Sequence, residues 1–246
     1  AFGCDQPQPM VGGDPSPVKA RVAATAEMHA GDLLRHAAKP FEIRLPPPLP
    51  AVPPRIIHHG SRQEPRLALT FDACATQAKS GYDERLIRVL VERQVPATLF
   101  LGGKWMAEHP DATRYLGSCN HFELANHSYL HPHMAGLPAA RVQQELWRTQ
   151  VIMYSLTGRQ AQLFRAPYAE IDDGVAHAAA QMGLTSIQYD LASGDPDAAA
   201  TADRLIQSIS QRARNGSIII MHMNGRGWHS AEALPSIVET LNRRGF

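Results

Sequence analysis

No run of about 18 apolar residues, the length a membrane-crossing helix needs, occurs anywhere in the 246-residue sequence. No transmembrane helix is therefore expected. Cysteine is scarce. Cys4, Cys74 and Cys119 are odd in number and lack the paired spacing of a zinc finger, which argues against a disulfide framework and against a finger-type site. A surplus of charge is lacking too. The 24 Lys and Arg against 23 Asp and Glu leave a net charge of +1 with His neutral, which gives no footprint for nucleic acid. No GxGxxG or Walker loop follows any predicted strand, so a nucleotide-binding reading lacks its glycines. What is present is an ordinary globular balance, 44% hydrophobic and 19% charged, in a length that suits one domain with or without an appendage.

Proline is plentiful but lopsided. Eleven of the 19 prolines precede residue 55, with Pro46-Pro47-Pro48 and Pro53-Pro54 in an extended, polyproline-like run. Between them Val18 to Ala38 reads as one helix, with Ser16 as its cap and Pro17 at its first position. Residues 1–65 are expected to form an arm or spacer that lies on the domain or leads away from an anchor. Ala1-Phe2-Gly3-Cys4 reads either as the end of a lipoprotein signal or as an ordinary loop.

From Arg66 on, short apolar strands alternate with amphipathic helices. Strands are predicted over Arg66 to Phe71, Ala97 to Leu101, Glu123 to Ala125, Leu163 to Arg165, Thr185 to Tyr189 and Ser217 to Met221. Helices are predicted over Tyr82 to Arg93, Pro138 to Tyr154, Gly174 to Met182, Ala200 to Arg214 and Ala231 to Arg244. Such alternation predicts a parallel sheet flanked by helices, either a barrel or an open doubly wound sheet. Chemistry in such folds gathers at the C-terminal strand ends.

The strand ends carry a consistent set. The first ends in Thr70-Phe71-Asp72, a carboxylate that serves as a base, a ligand or a simple turn cap. The third is followed by His127 and His131; four apart on a helical turn, their imidazoles would share one face, as two metal ligands require. No glutamate follows His127, so the HExxH protease pattern fails. His133 reads as a structural or rim residue. The fourth strand delivers Arg165, able to orient a carboxylate. The fifth delivers Asp190 and then Ser193-Gly194-Asp195, and the sixth delivers His222. Asp, His and His, Arg, Asp and His at successive strand ends is a set that chance assembles rarely.

These residues resemble the polysaccharide deacetylase family, which shares the NodB homology domain, over roughly Arg66 to Phe246. Thr70-Phe71-Asp72 matches the start of the family's TFDDG motif. Phe122-Glu123-Leu124-Ala125-Asn126-His127-Ser128-Tyr129-Leu130-His131-Pro132 is similar to its HEIGNHTxxHP segment, and Arg165-Ala166-Pro167-Tyr168 to its RxPY motif. Asp195 looks like the aspartate of the fourth motif, and Ile218-Ile219-Ile220-Met221-His222 resembles the fifth. The resemblance implies a distorted, incomplete (β/α) barrel of about seven strands. It implies Asp72 as general base, and His127 and His131 as ligands of zinc or another divalent metal. It also implies Arg165 holding Asp72, Asp195 pairing with Arg165 or tuning His222, and His222 as general acid. The substrate implied is an acetylated polysaccharide or oligosaccharide such as peptidoglycan, chitin oligomers or exopolysaccharide. The arm and the family's habit together imply a periplasmic or secreted location.

The pattern breaks at one ligand. Ala73 stands where the family has its metal-binding second aspartate, and the sequence continues Cys74-Ala75-Thr76. Three outcomes are open: Asp72 joins the metal shell, Cys74 supplies a thiolate, which zinc favours, or water completes a two-histidine site. A non-catalytic carbohydrate-binding descendant, an O-acetyl esterase and a hydrolase of small cyclic amides are the competing functions. Pro196 replaces the tryptophan that usually follows the fourth motif's aspartate, and Trp228 is a candidate to replace that wall. Cys74 at the top of the sheet and Cys119 near its bottom are expected to lie too far apart for a disulfide.

Overall fold

A computed structural model describes residues 30–75 and 80–246. Ser16, Pro17 and Cys4 lie outside the described residues. So does most of the predicted Val18 to Ala38 helix; of its described residues, 30–38, only α1 (Ala30–Leu34) is helical, so the helix ends four residues before the predicted Ala38.

The remaining elements, in chain order, are β1 (Ile56–Ile57), β2 (Ala68–Ala73), α2 (Glu84–Glu92), β3 (Ala97–Leu101), α3 (Gly103–Glu108), α4 (Pro110–Ser118), β4 (Phe122–Asn126), α5 (Ala139–Thr157), β5 (Leu163–Phe164), α6 (Asp173–Ala180), β6 (Thr185–Ile187), β7 (Leu191–Ala192), α7 (Ala202–Arg212), β8 (Ile218–His222) and α8 (Ser230–Arg243). The strands form one sheet in the order β1-β6-β5-β4-β3-β2-β8-β7. Every pairing is parallel. The sheet curls into an incomplete barrel. It has eight strands where about seven were expected; β1 and β7 are two-residue edge strands, too short to show a period.

The interior strands are apolar because both faces are covered. Ile218, Ile219 and Ile220 of β8 are all buried, as are Leu99, Phe100 and Leu101 of β3. The helices dock by one stripe each; α2 buries Leu86, Ile87 and Leu90. Local signals set their starts. Asp83, Asp172 and Thr201 accept hydrogen bonds from the backbone N–H of Leu86, Val175 and Arg204, which satisfies N–H groups the helix cannot use. Gly158, in the left-handed region at φ 72°, ends α5.

Two differences from expectation matter. The connection from β3 to β4 holds two helices, α3 and α4, that the sequence pattern did not reveal. Gly102 and Pro110 punctuate the stretch, and each helix is short, at six and nine residues. The second concerns the segment before β2, expected as arm: it includes β1, which pairs with β6. It is tied below the sheet by Arg62, whose guanidinium donates to Asp190 Oδ2 and to the Asn215 carbonyl, each at 2.6 Å.

Candidate functional site

Strand alternation decides which side chains reach the top of the sheet, since successive residues face opposite ways. On β2 and the residue after it, Thr70, Asp72 and Cys74 share one face. Ala73 between them is wholly buried and packs with the apolar core. On the neighbouring strand β8, His222 stands in register with Asp72. These ends open into a cleft of about 340 Å³ lined by Asp72, Cys74, His127, His131, Arg165 and His222.

Arg165 is the structural centre. It is 1% exposed. Its Nη1 donates to Asp72 Oδ1 at 2.7 Å and to Thr70 Oγ1 at 2.9 Å, and its Nη2 to the Gln188 carbonyl at 3.2 Å. The guanidinium lies 3.9 Å above the Phe100 ring, a favourable seat for a cation over a π face. Burial pushes the Asp72 carboxyl up, but the permanent charge of Arg165 overturns this and holds it below the usual carboxylate range. Asp72 therefore stays ionised at neutral pH.

Asp195 does not pair with Arg165; it holds His222. Its Oδ1 accepts from His222 Nδ1 at 2.9 Å and from Ser193 Oγ at 2.8 Å, and its Oδ2 accepts from the His222 backbone N–H and from Ser230 Oγ, both at 2.7 Å. Gly227 makes room for this network. A Cβ there would collide with the His222 carbonyl and sit 2.8 Å from both Asp195 Oδ2 and Ser230 Oγ. Burial pushes the His222 imidazole down, but the hydrogen bond and charge of Asp195 outweigh it, so its pKa is raised.

The two remaining histidines are not on a helical turn. They sit on the loop after β4, in which Ser128 (φ 61°) and His131 (φ 57°) adopt the left-handed region. Four-residue spacing fits such a loop as well as a helix, and the ring centres come to 5.0 Å by that route. The loop is pinned from below. Asn126 Oδ1 accepts from the Ser128 N–H, and fully buried Glu145 of α5 accepts from the N–H groups of Tyr129 and Leu130 at 3.0 and 2.8 Å. Sequence reasoning missed Glu145; its signal is a charged residue on the apolar stripe of α5 between Val142 and Leu146.

The donor set fits a metal ion. Among the described residues, Cys74, His127 and His131 are the one group whose ligand atoms all lie within 4.8 Å of one another. His127 Nδ1 lies 2.9 Å from the Arg165 carbonyl and must donate to it, which turns Nε2 into the cleft, 3.5 Å from Asp72 Oδ2. A backbone carbonyl that fixes the imidazole in this way is usual for metal-binding histidine. Burial pushes the His127 imidazole down, so its Nε2 presents a lone pair toward an ionised carboxylate, an arrangement that a cation between them relieves. His131 Nδ1 is buried without a hydrogen-bond partner, and burial with the neighbouring His127 pushes that imidazole down to about 3.

At the rim, Tyr168 (φ 57°) stacks on His133 at 4.1 Å and meets His131 edge-on at 4.5 Å, which places His133 outside the donor group. Trp228 is exposed; its backbone N–H donates to the Asp195 carbonyl at 2.8 Å, and its side chain does not line the cleft, whereas Pro196 does. Asp190 is not part of the site and serves the Arg62 tie. Cys74 and Cys119 both carry free thiols.

The family model for polysaccharide deacetylases matches residues 59–187. The chain belongs to the polysaccharide deacetylase family. It is 32% identical over 188 residues to a bifunctional xylanase/xylan deacetylase of Cellvibrio japonicus, an alignment covering 76% of this chain and 27% of that protein. Among solved structures it is similar to a family 4 carbohydrate esterase from Streptomyces lividans in complex with acetate (34% identity, TM-score 0.64, 73% of this chain and 88% of that one). It is also similar to a CE4 family pseudoenzyme from Bacillus anthracis (25% identity, TM-score 0.71, 79% and 66%). No helix among the described residues is long and apolar enough to cross a membrane.

Proposed function

We propose that this protein is a metal-dependent hydrolase that removes acetyl groups from N-acetylated sugar polymers outside the cytoplasm. The observation that carries the reading is the register of Asp72 with His222 across β2 and β8, each held by its own buried partner, beside the imidazoles of His127 and His131. His127 and His131 would hold a divalent ion. Bound there, such an ion would lower the pKa of the attacking water and polarise the amide carbonyl. Asp72 Oδ2, the oxygen not bonded to Arg165, takes the proton from that water as its oxygen adds to the acetyl carbon. His222 Nδ1–H is committed to Asp195, so the proton for the leaving nitrogen comes from Nε2. The carbon–nitrogen bond then breaks to give acetate and a sugar amine. An amine leaves poorly unless protonated, so the acid matters as much as the base.

The test is acetate release from N-acetylglucosamine oligomers and from peptidoglycan by the zinc-loaded protein. Replacement of His222 by alanine is expected to lower the rate on these amides by about 10²–10⁴-fold, with a smaller loss on O-acetyl esters, whose alkoxide leaves more easily. Full amide activity in His222→Ala would remove the acid from the mechanism. A second reading, a non-catalytic carbohydrate-binding relative, is favoured by Ala73 at the family's ligand position. Binding of the same oligomers with no acetate released from any of them would establish it.

A further inference from the structure

We propose that Cys74 is the third protein ligand of the metal centre, so that one thiolate and two imidazoles hold the ion where the family uses a carboxylate. The inference deepens the deacetylase reading, which calls for an ion beside Asp72.

Three observations carry it. The first is position. Ala73 is fully buried and offers no ligand atom, while Cys74, the residue after it, lines the cleft beside Asp72. The second is proximity. Cys74 Sγ lies with the ligand nitrogens of His127 and His131 within 4.8 Å, and Asp72 does not join that group. Asp72 gives Oδ1 to Arg165, and its Oδ2, 3.5 Å from His127 Nε2, is the oxygen the proposed mechanism uses as base. Tetrahedral zinc wants its donor atoms roughly 3.3–3.7 Å apart, so binding draws the three together by about an ångström. The third is the surrounding of the sulfur. Asn224, 1% exposed, directs its Nδ2 to the Cys74 carbonyl at 2.9 Å and to Sγ at 3.3 Å. Burial and the Asp72 charge push the Cys74 thiol up to about 11, so the sulfur holds its proton until an ion displaces it; the amide N–H aimed at sulfur and the orphaned buried nitrogen on His131 are then ready to serve a ligated thiolate. The thiol proton leaves to solvent as the ion binds. A thiolate with two imidazoles favours zinc over magnesium, calcium or manganese.

The experiment is cobalt substitution of the metal-stripped chain. One equivalent of Co²⁺ is expected to produce an intense near-ultraviolet thiolate-to-cobalt charge-transfer band, absent in Cys74→Ser and retained in Cys4→Ser and Cys119→Ser. Zinc affinity, read by competition with a chelating dye, is expected to fall more than about 100-fold in Cys74→Ser, beyond what loss of an outer-sphere partner does. A thermal melt of Cys74→Ser without metal checks that this near-isosteric variant is folded. The unaltered chain needs no such control. One equivalent of bound cobalt without the band, a band that persists in Cys74→Ser, or failure of both metals to bind would each overturn the proposal. Acetate release measured on the same zinc-loaded samples separates the two readings. The band without acetate release leaves the thiolate centre standing and removes the hydrolase, and acetate release without the band does the reverse.

Discussion

Asp195 and Arg165 are both buried charges, and each acts on another ionisable group. Asp195 spends both of its oxygens on four donors. The charge it adds raises the His222 pKa, so His222 favours folding below the ordinary histidine value, and this contribution fades as pH rises through the raised one. In the proposed mechanism the same sign governs catalysis. Asp195→Asn keeps an oxygen for Nδ1 but removes the charge, so His222 loses its proton at lower pH. The alkaline limb of the deacetylation profile is expected to move to lower pH in this variant, and an unmoved limb would detach His222 from that limb. At this scale the sequence was informative. Asp72, Arg165 and His222 were legible because each stands at or just past the end of an apolar strand run, whereas Asp195, three residues past the unpredicted β7, was legible only by its likeness to the fourth motif. The choice of partner was not. Asp195 bonding His222 and not Arg165 depends on Gly227 letting the last loop close over it, and no pattern in the sequence signals that approach.

The loop after β4 shows what an element adds. His127 and His131 were found by spacing, but the helical turn inferred from that spacing is absent. Left-handed Ser128 and His131 are non-glycine residues, and tertiary contacts with buried Glu145 hold them there. Glu145→Ala would leave the N–H groups of Tyr129 and Leu130 buried without acceptors and is expected to lower stability by about 3 kcal/mol. Glu145→Gln keeps an acceptor and should lose about 1 kcal/mol. Urea titrations of the two variants check the order, and equal losses would show that the carboxylate does not organise the loop. The helix α3 was missed because six residues show too few turns for a period; α4 is as long as α2, but it buries Pro110, Thr113 and Leu116, which do not read as an apolar stripe, where α2 buries Leu86, Ile87 and Leu90. The long helix α5 was found within a few residues at each end.

Across the whole molecule, the segment before β2 is joined to the sheet by the Arg62–Asp190 pair at 2.6 Å and by the Ile218 N–H, which donates to Asp190 Oδ1 at 2.8 Å. Burial pushes the Asp190 carboxyl up, but the hydrogen bonds from Arg62 and Ile218 outweigh it and the pKa is lowered. A lowered carboxylate stabilises the fold above its unfolded value and loses that contribution as pH falls through its folded one. Asp190→Asn is therefore expected to lose about 1–2 kcal/mol at neutral pH and to show a flatter fall in melting temperature on acidification. Parallel curves for the two proteins would rule out the pair as an acid-sensitive tie. The strand order has a further consequence. β2 lies between β3, made soon after it, and β8, the last of the described strands in chain order. On the ribosome the edge of β2 that meets β8 therefore waits, unpaired, until residues 218–222 emerge. Asp72 and His222 then meet for the first time, so under the proposed mechanism a chain halted before that point is hydrolytically silent, and it offers an open strand edge to its neighbours.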